Sequence, residues 1–157
     1  MLQAFHPSFE DILKCQLKWR WTEPDHAQFS QEELDQIKPL VEPDAKQVHQ
    51  LLLKSWDDYS LVPDQFVSIV EQSTKDQKTS SIVAWLQKTV PTEEPIFFIS
   101  WDDRNCVSCS RDLFVSRWDD FCYPSSDDVL ISPQSMNWLL YYFHEEVFYF
   151  GVRNGVD

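Results

Sequence analysis

The apolar positions of this chain change their spacing once, near residue 95. Before that point they recur mostly at intervals of three and four, the period of a helix with one buried face. Phe9, Ile12, Leu13 and Leu17 follow Ser8 and predict a short helix over Ser8–Lys18. Trp19-Arg20-Trp21 alternates and predicts the start or end of a strand, with Thr22-Glu23-Pro24-Asp25 turning away from it. Ser30 and Glu33 have capping-box spacing, Leu34 and Ile37 are the apolar positions that follow, and Pro39 stops the run. Pro43-Asp44 opens a longer helix carrying Val48, Leu51, Leu52 and Trp56 on one side. Pro63-Asp64 begins a further helix or turn, in which Phe66, Val67, Ile69 and Val70 are too dense to define a face. Ser73–Ser81 is a polar loop, Ile82–Leu86 a short helix, and Pro91–Pro95 a break.

After Pro95 the spacing becomes that of strands: Ile96–Trp101, Cys106–Ser110, Val129–Ile131, Trp138–Phe143 and Val147–Phe150. One helical phrase interrupts them. Ser110 caps it, Asp112 sits in its first turn, and Leu113, Phe114, Arg117, Trp118 and Phe121 form its stripe. Trp138, Leu140, Tyr142 and His144 share one face of a strand, and Leu139, Tyr141 and Phe143 share the other. That strand is therefore expected to be covered on both sides. Helices first and strands afterwards give an α+β fold: N-terminal helices packed on a mainly antiparallel C-terminal sheet of four to five strands with one amphipathic helix inserted. The chain is expected to form one domain over residues 1–157, helix-rich over 1–90 and sheet-rich over 95–152.

Composition narrows the functions. At 157 residues, 43 % hydrophobic and 15 % aromatic, the chain can build a core and lacks the signature of disorder. Its net charge of −13 opposes binding to polyphosphate backbones or anionic membranes, so neither nucleic acid nor membrane is an expected partner, and a basic protein is the electrostatic complement. The two glycines, Gly151 and Gly155, stand at the far end, which removes every glycine-rich phosphate loop. Met1–Pro7 shows no leader pattern and no stretch reaches 18 apolar residues, so a cytoplasmic location is expected. Cys15, Cys106, Cys109 and Cys122 are then expected to be reduced thiols.

Three groups of residues could carry chemistry. Cys106-x-x-Cys109 with Cys122 and His144 has the donor types of a tetrahedral zinc site, but residues three apart on a strand point to opposite faces. His144-Glu145-Glu146 lacks the second histidine of a His-Glu-x-x-His helix, since position 148 is Phe148, and is expected to be a hairpin turn. No nucleophile elbow is possible without a glycine near a serine. The third group is the recurring acid pairs in Trp56-Asp57-Asp58-Tyr59, Trp101-Asp102-Asp103, Trp118-Asp119-Asp120-Phe121 and Ser126-Asp127-Asp128. They either end elements and solvate loops, or come together as a carboxylate surface ringed by Trp and Tyr. The regular spacing of a calcium loop is missing.

Ile37-Lys38-Pro39-Leu40, Phe97–Arg104, Trp118–Phe121 and Asp128–Ile131 together resemble a family of small bacterial proteins, a domain of unknown function. The hairpin Trp138–Gly151 is similar in style to those of toxin-immunity proteins. The resemblance carries no catalytic residues and no cofactor. Its implication, taken with the charge, is a non-enzymatic protein that binds another protein, an immunity-type inhibitor of a basic toxin domain. The acid pairs with Trp101 and Trp118 would form its binding surface. Two alternatives stand beside it: a small metal-dependent hydrolase using the acid pairs or His144, and a housekeeping protein with no separable activity.

Overall fold

The structure, a computed structural model, describes residues 5–155, so the first four residues of the Met1–Pro7 stretch lie outside it. Seven antiparallel strands form one sheet: β1 (Lys38–Pro39), β2 (Phe66–Ser73), β3 (Ile96–Ser100), β4 (Cys106–Ser110), β5 (Val129–Pro133), β6 (Trp138–Phe143) and β7 (Val147–Arg153), in the order β1-β4-β3-β5-β6-β7-β2. The five C-terminal strands are contiguous in the middle, as their alternation predicts. Both edges come from the supposedly helical half, which raises the strand number from four or five to seven. β2 is the larger departure, since Phe66–Val70 was expected to follow Pro63 as helix or turn. Only Pro63–Gln65 is helical, a single 3-10 turn, after which β2 pairs along β7 with an irregularity between Phe66 and Ser68. An edge strand buries one flank only, so its side chains give no clean period.

The helices cover both faces. α3 (Glu42–Leu53), with Pro43 in its first turn, packs Ala45, Val48 and Leu52 against Leu130, Leu139, Tyr141 and Phe143. On the other face lie α1 (Trp19–Thr22), α4 (Thr79–Thr89), α5 (Arg111–Ser116) and α6 (Trp118–Phe121), whose Trp21, Leu86, Phe114 and Phe121 meet Phe97, Ile131, Leu140 and Tyr142. The alternation along Trp138–Phe143 thus divides between two cores, one on each side of the sheet. Each core is dominated by aromatic and branched side chains, whose burial supplies the main drive to fold.

Three local expectations are corrected. Ser8–Lys18 is not a helix: Asp11 caps a single 3-10 turn at Ile12–Lys14, and Phe9 bridges to Leu40. Trp19-Arg20-Trp21 is helical, not strand, because Trp21 and Arg20 must both face inward within one short turn. The phrase Arg111–Phe121 is two helices separated at Arg117, whose backbone (φ −123°, ψ 25°) leaves the helical region. Arg117 also leaves the apolar stripe. It lies over the Phe29 ring and pairs with Glu33 at 3.0 Å, the same residue that closes the capping box with Ser30 in α2 (Gln31–Leu34). Among the described residues no helix is long and apolar enough to cross a membrane.

Candidate functional site

The strand register gathers the acid-bearing turns at one end of the sheet. Ser100 at the close of β3 stands opposite Cys106 and Leu130, and Phe143 at the close of β6 opposite Val147. Whatever follows β3 and β6 or precedes β4, β5 and β7 must therefore emerge together. On the α3 side this end holds a cavity of about 180 Å³, lined by His49, Trp56, Trp101, Asp128 and Tyr141 among others.

Each acid near that cavity has a distinct local role. Asp57 accepts the N–H groups of Tyr59 (3.2 Å) and Ser60 (2.7 Å) and so builds its own turn. Asp58 follows with φ +74°, a left-handed conformation that Asp tolerates, and its carbonyl lies 3.4 Å from Tyr141 Oη. Tyr59 is 71 % exposed and packs edge-on to Phe143. Asp102 accepts from the N–H of Arg104 (2.8 Å) and Asn105 (2.7 Å) and from Asn105 Nδ2 (2.9 Å). Burial pulls its carboxyl upward, but these hydrogen bonds outweigh it and hold Asp102 below the usual carboxylate range. Asp103 is exposed. Asp128 accepts Tyr141 Oη at 2.9 Å and the His144 N–H at 3.1 Å, and the His144 ring Nδ1 lies 3.1 Å away.

Two residues that sequence inspection passes over define the cavity's electrostatics. His49, from α3, sits 2.8 Å from Ser100 Oγ; burial pushes its imidazole toward the neutral form, against the pull of Asp102 and Asp103. The Trp56 indole N–H is buried with no hydrogen-bond partner among the described residues. His49 has no motif around it, and only the packing of α3 on β3 brings it to Ser100.

The remaining candidates lie on the other face and are largely used by the fold. Asp127 is 6 % exposed. Its oxygens meet Arg20 Nη1 at 2.5 Å and Nη2 at 2.9 Å and accept the Tyr123 N–H at 2.8 Å. This carboxylate is not presented to a partner. Trp118 is buried with its indole N–H directed at Thr79 O, and Trp101 is half-buried with its N–H on Phe121 O. Asp120, raised by burial and by Asp119, lies 3.9 Å from Arg117. Asp119 is exposed, with Thr79 Oγ1 at 3.5 Å. The sheet therefore separates the ten candidates: Asp128 and Trp101 line the cavity, the Asp57–Asp58 turn touches its Tyr141 and Asp102 and Asp103 act on its His49, and Asp119, Asp120, Asp127 and Trp118 do not join them.

The donor set for metal is dispersed. Cys106 belongs to the α3-side core and Cys109 and Cys122 to the opposite one, and among the described residues no three His, Cys, Asp or Glu side chains could hold an ion together. Burial raises all four thiols. His144 stands in the three-residue turn between β6 and β7, closed by Glu146 at φ +65°. No Ser, Thr or Cys side chain among the described residues hydrogen-bonds it, and the hydroxyl beside His49 belongs to the fully buried Ser100.

No family model, curated protein or solved structure matches the chain.

Proposed function

We propose that this chain is a non-enzymatic protein-binding protein of the immunity type, whose carboxylate-bearing sheet end receives a basic protein domain. The observation that carries the proposal is the grouping of acids about one aromatic cavity: Asp128 lines it, the Asp58 carbonyl meets its Tyr141, and Asp102 and Asp103 act on its His49. Among the described residues, no Lys or Arg side chain forms a salt bridge with Asp57, Asp58, Asp102 or Asp103. Exposed Tyr59 adds a rigid amphipathic contact beside these charges, the composition that favours arginine-rich surfaces.

Binding to a basic nuclease-type domain, measured calorimetrically at about 50 mM and about 300 mM salt, tests this, because a Debye length near 8 Å at physiological salt screens such a surface strongly. Affinity should fall steeply with salt and weaken in Asp58→Asn/Asp103→Asn, whose side chains carry no internal hydrogen bond. Salt-independent binding, or binding unaffected by the double substitution, would reject the electrostatic interface.

A further inference from the structure

A second cleft lies at the opposite end of the sheet, where β7 ends and β2 begins. Its volume is about 520 Å³, within the range of small-molecule sites of roughly 300–1,000 Å³. In a chain with 26 acids against 13 Lys and Arg, its lining holds, among the described residues, two cations, Lys54 and Arg153, and no carboxylate. Among the described residues neither cation forms a salt bridge.

Arg153 is fixed in place. Its Nε donates to Met136 O (2.6 Å), its Nη1 to Ser55 Oγ (2.7 Å) and Gln65 Oε1 (3.2 Å), and the guanidinium lies over the Phe66 ring, 5.4 Å from the centroid. Nη2 makes no hydrogen bond among the described residues and is not one of the buried unsatisfied atoms, so it keeps some exposure in a residue that lines the cleft. The guanidinium is half-buried and desolvated without a compensating anion, which lowers its proton affinity. The Asn137 side chain, on the same wall, also has no hydrogen bond among the described residues. Leu51 and Met136 add apolar surface.

We propose that this cleft binds a small organic monocarboxylate, its carboxylate on Arg153 Nη2 and Lys54, and its short apolar body against Leu51 and Met136. A charged guanidinium N–H favours an oxyanion as its acceptor. With Nε and Nη1 already committed, Nη2 is left as the guanidinium's free donor. The net charge of −13 penalises each further negative charge on a ligand, which selects a monoanion over a phosphate dianion. Because Arg153 is held before the ligand arrives, it needs little ordering on binding. This site is independent of the acidic end and of any protein partner there.

Titration of the ¹⁵N-labelled full chain with sodium butyrate tests the proposal, with butyramide as the neutral isostere and inorganic phosphate as the dianion, all at constant ionic strength. Butyrate should shift the side-chain amide signals of Asn137 and Gln65 saturably, and butyramide should not. Lys54→Glu, an exposed and unpaired position, should keep the unligated melting temperature and weaken butyrate binding about tenfold or more, as loss of a charged hydrogen bond implies. Arg153→Lys, which keeps the charge and removes the fork, should weaken it as well. No saturable shift with butyrate, equal shifts with butyramide, tighter binding of phosphate, or unchanged affinity in Lys54→Glu would each overturn the assignment.

Discussion

Arg20 and Asp127, 107 positions apart in the chain, meet in a buried two-point ion pair that ties α1 to the approach of β5. Tyr123, Trp19 and Trp101 lie around the guanidinium, with Tyr123 nearest at 4.3 Å, so neither charge has water to fall back on. Removing one partner of such a pair strands the other. Asp127→Asn should therefore lower stability by about 3–5 kcal/mol. Urea unfolding measures it, with Asp103→Asn as the contrast: that exposed acid should change stability by no more than about 0.5 kcal/mol. Equal losses in the two variants would mean that burial does not decide which aspartates are structural.

Gly151 is small because Phe66 lies across it. A Cβ at that position would stand 2.6 Å from Phe66 Cδ1, and the same ring supports Arg153. Gly151→Ala should cost about 1–3 kcal/mol by overpacking, since the ring cannot retreat without disturbing the join of β2 and β7. A thermal melt reads the loss, and Gly151→Ala/Phe66→Leu should recover part of it. No recovery would show that the collision lies elsewhere.

His49 gives the stability a pH dependence of definite sign. Burial lowers its folded-state pKa below the ordinary 6.5, so the unfolded chain takes up the proton first as pH falls. The contribution is complete above 6.5 and is lost as pH drops through 6.5 toward the folded value. Asp102, lowered in the folded state, acts in a separate window: its contribution is present above 3.8 and is lost below that as pH falls through the folded value. Unfolding free energies at about pH 7.5 and about pH 5.5 should differ less in His49→Gln than in the parent, because glutamine does not titrate there. An identical difference in both proteins would remove His49 as the cause.

The four thiols should be silent in the native protein. All are buried, and burial raises each pKa, which depletes the thiolate that reacts. Native protein mixed with an aromatic disulfide reagent should show no fast phase, and four equivalents should react on unfolding. A rapid native equivalent would identify a thiol in frequent contact with solvent.

The acid pairs show why the role of each carboxylate was not legible in the sequence. Trp-Asp-Asp recurs in nearly the same form at Trp56, Trp101 and Trp118, yet the three sites differ in burial, partners and side of the sheet. The fourth pair is itself divided, Asp127 buried against Arg20 and Asp128 on the cavity rim beside Tyr141. A dipeptide has no information on where a residue 100 positions away will lie, and that distant residue decides whether a carboxylate is structural or available.

By itself the sequence determined what short-range periodicity can express. The five C-terminal strands, the two-sided burial of Trp138–Phe143, the opposite faces of Cys106 and Cys109, the Ser30 capping box and the helix that Pro43 opens follow from side-chain directions that backbone geometry repeats every two or 3.6 residues. That helix nonetheless ends at Leu53, short of Trp56, which the spacing places on it. Only the tertiary structure decided that Lys38–Pro39 and Phe66–Ser73 complete the sheet, that Trp19–Thr22 is helical, and that Arg20, His49 and Arg153 stand where they do. Edge strands are recruited by backbone hydrogen bonds that leave little mark on side-chain pattern, and a charge acquires its partner only when distant segments pack.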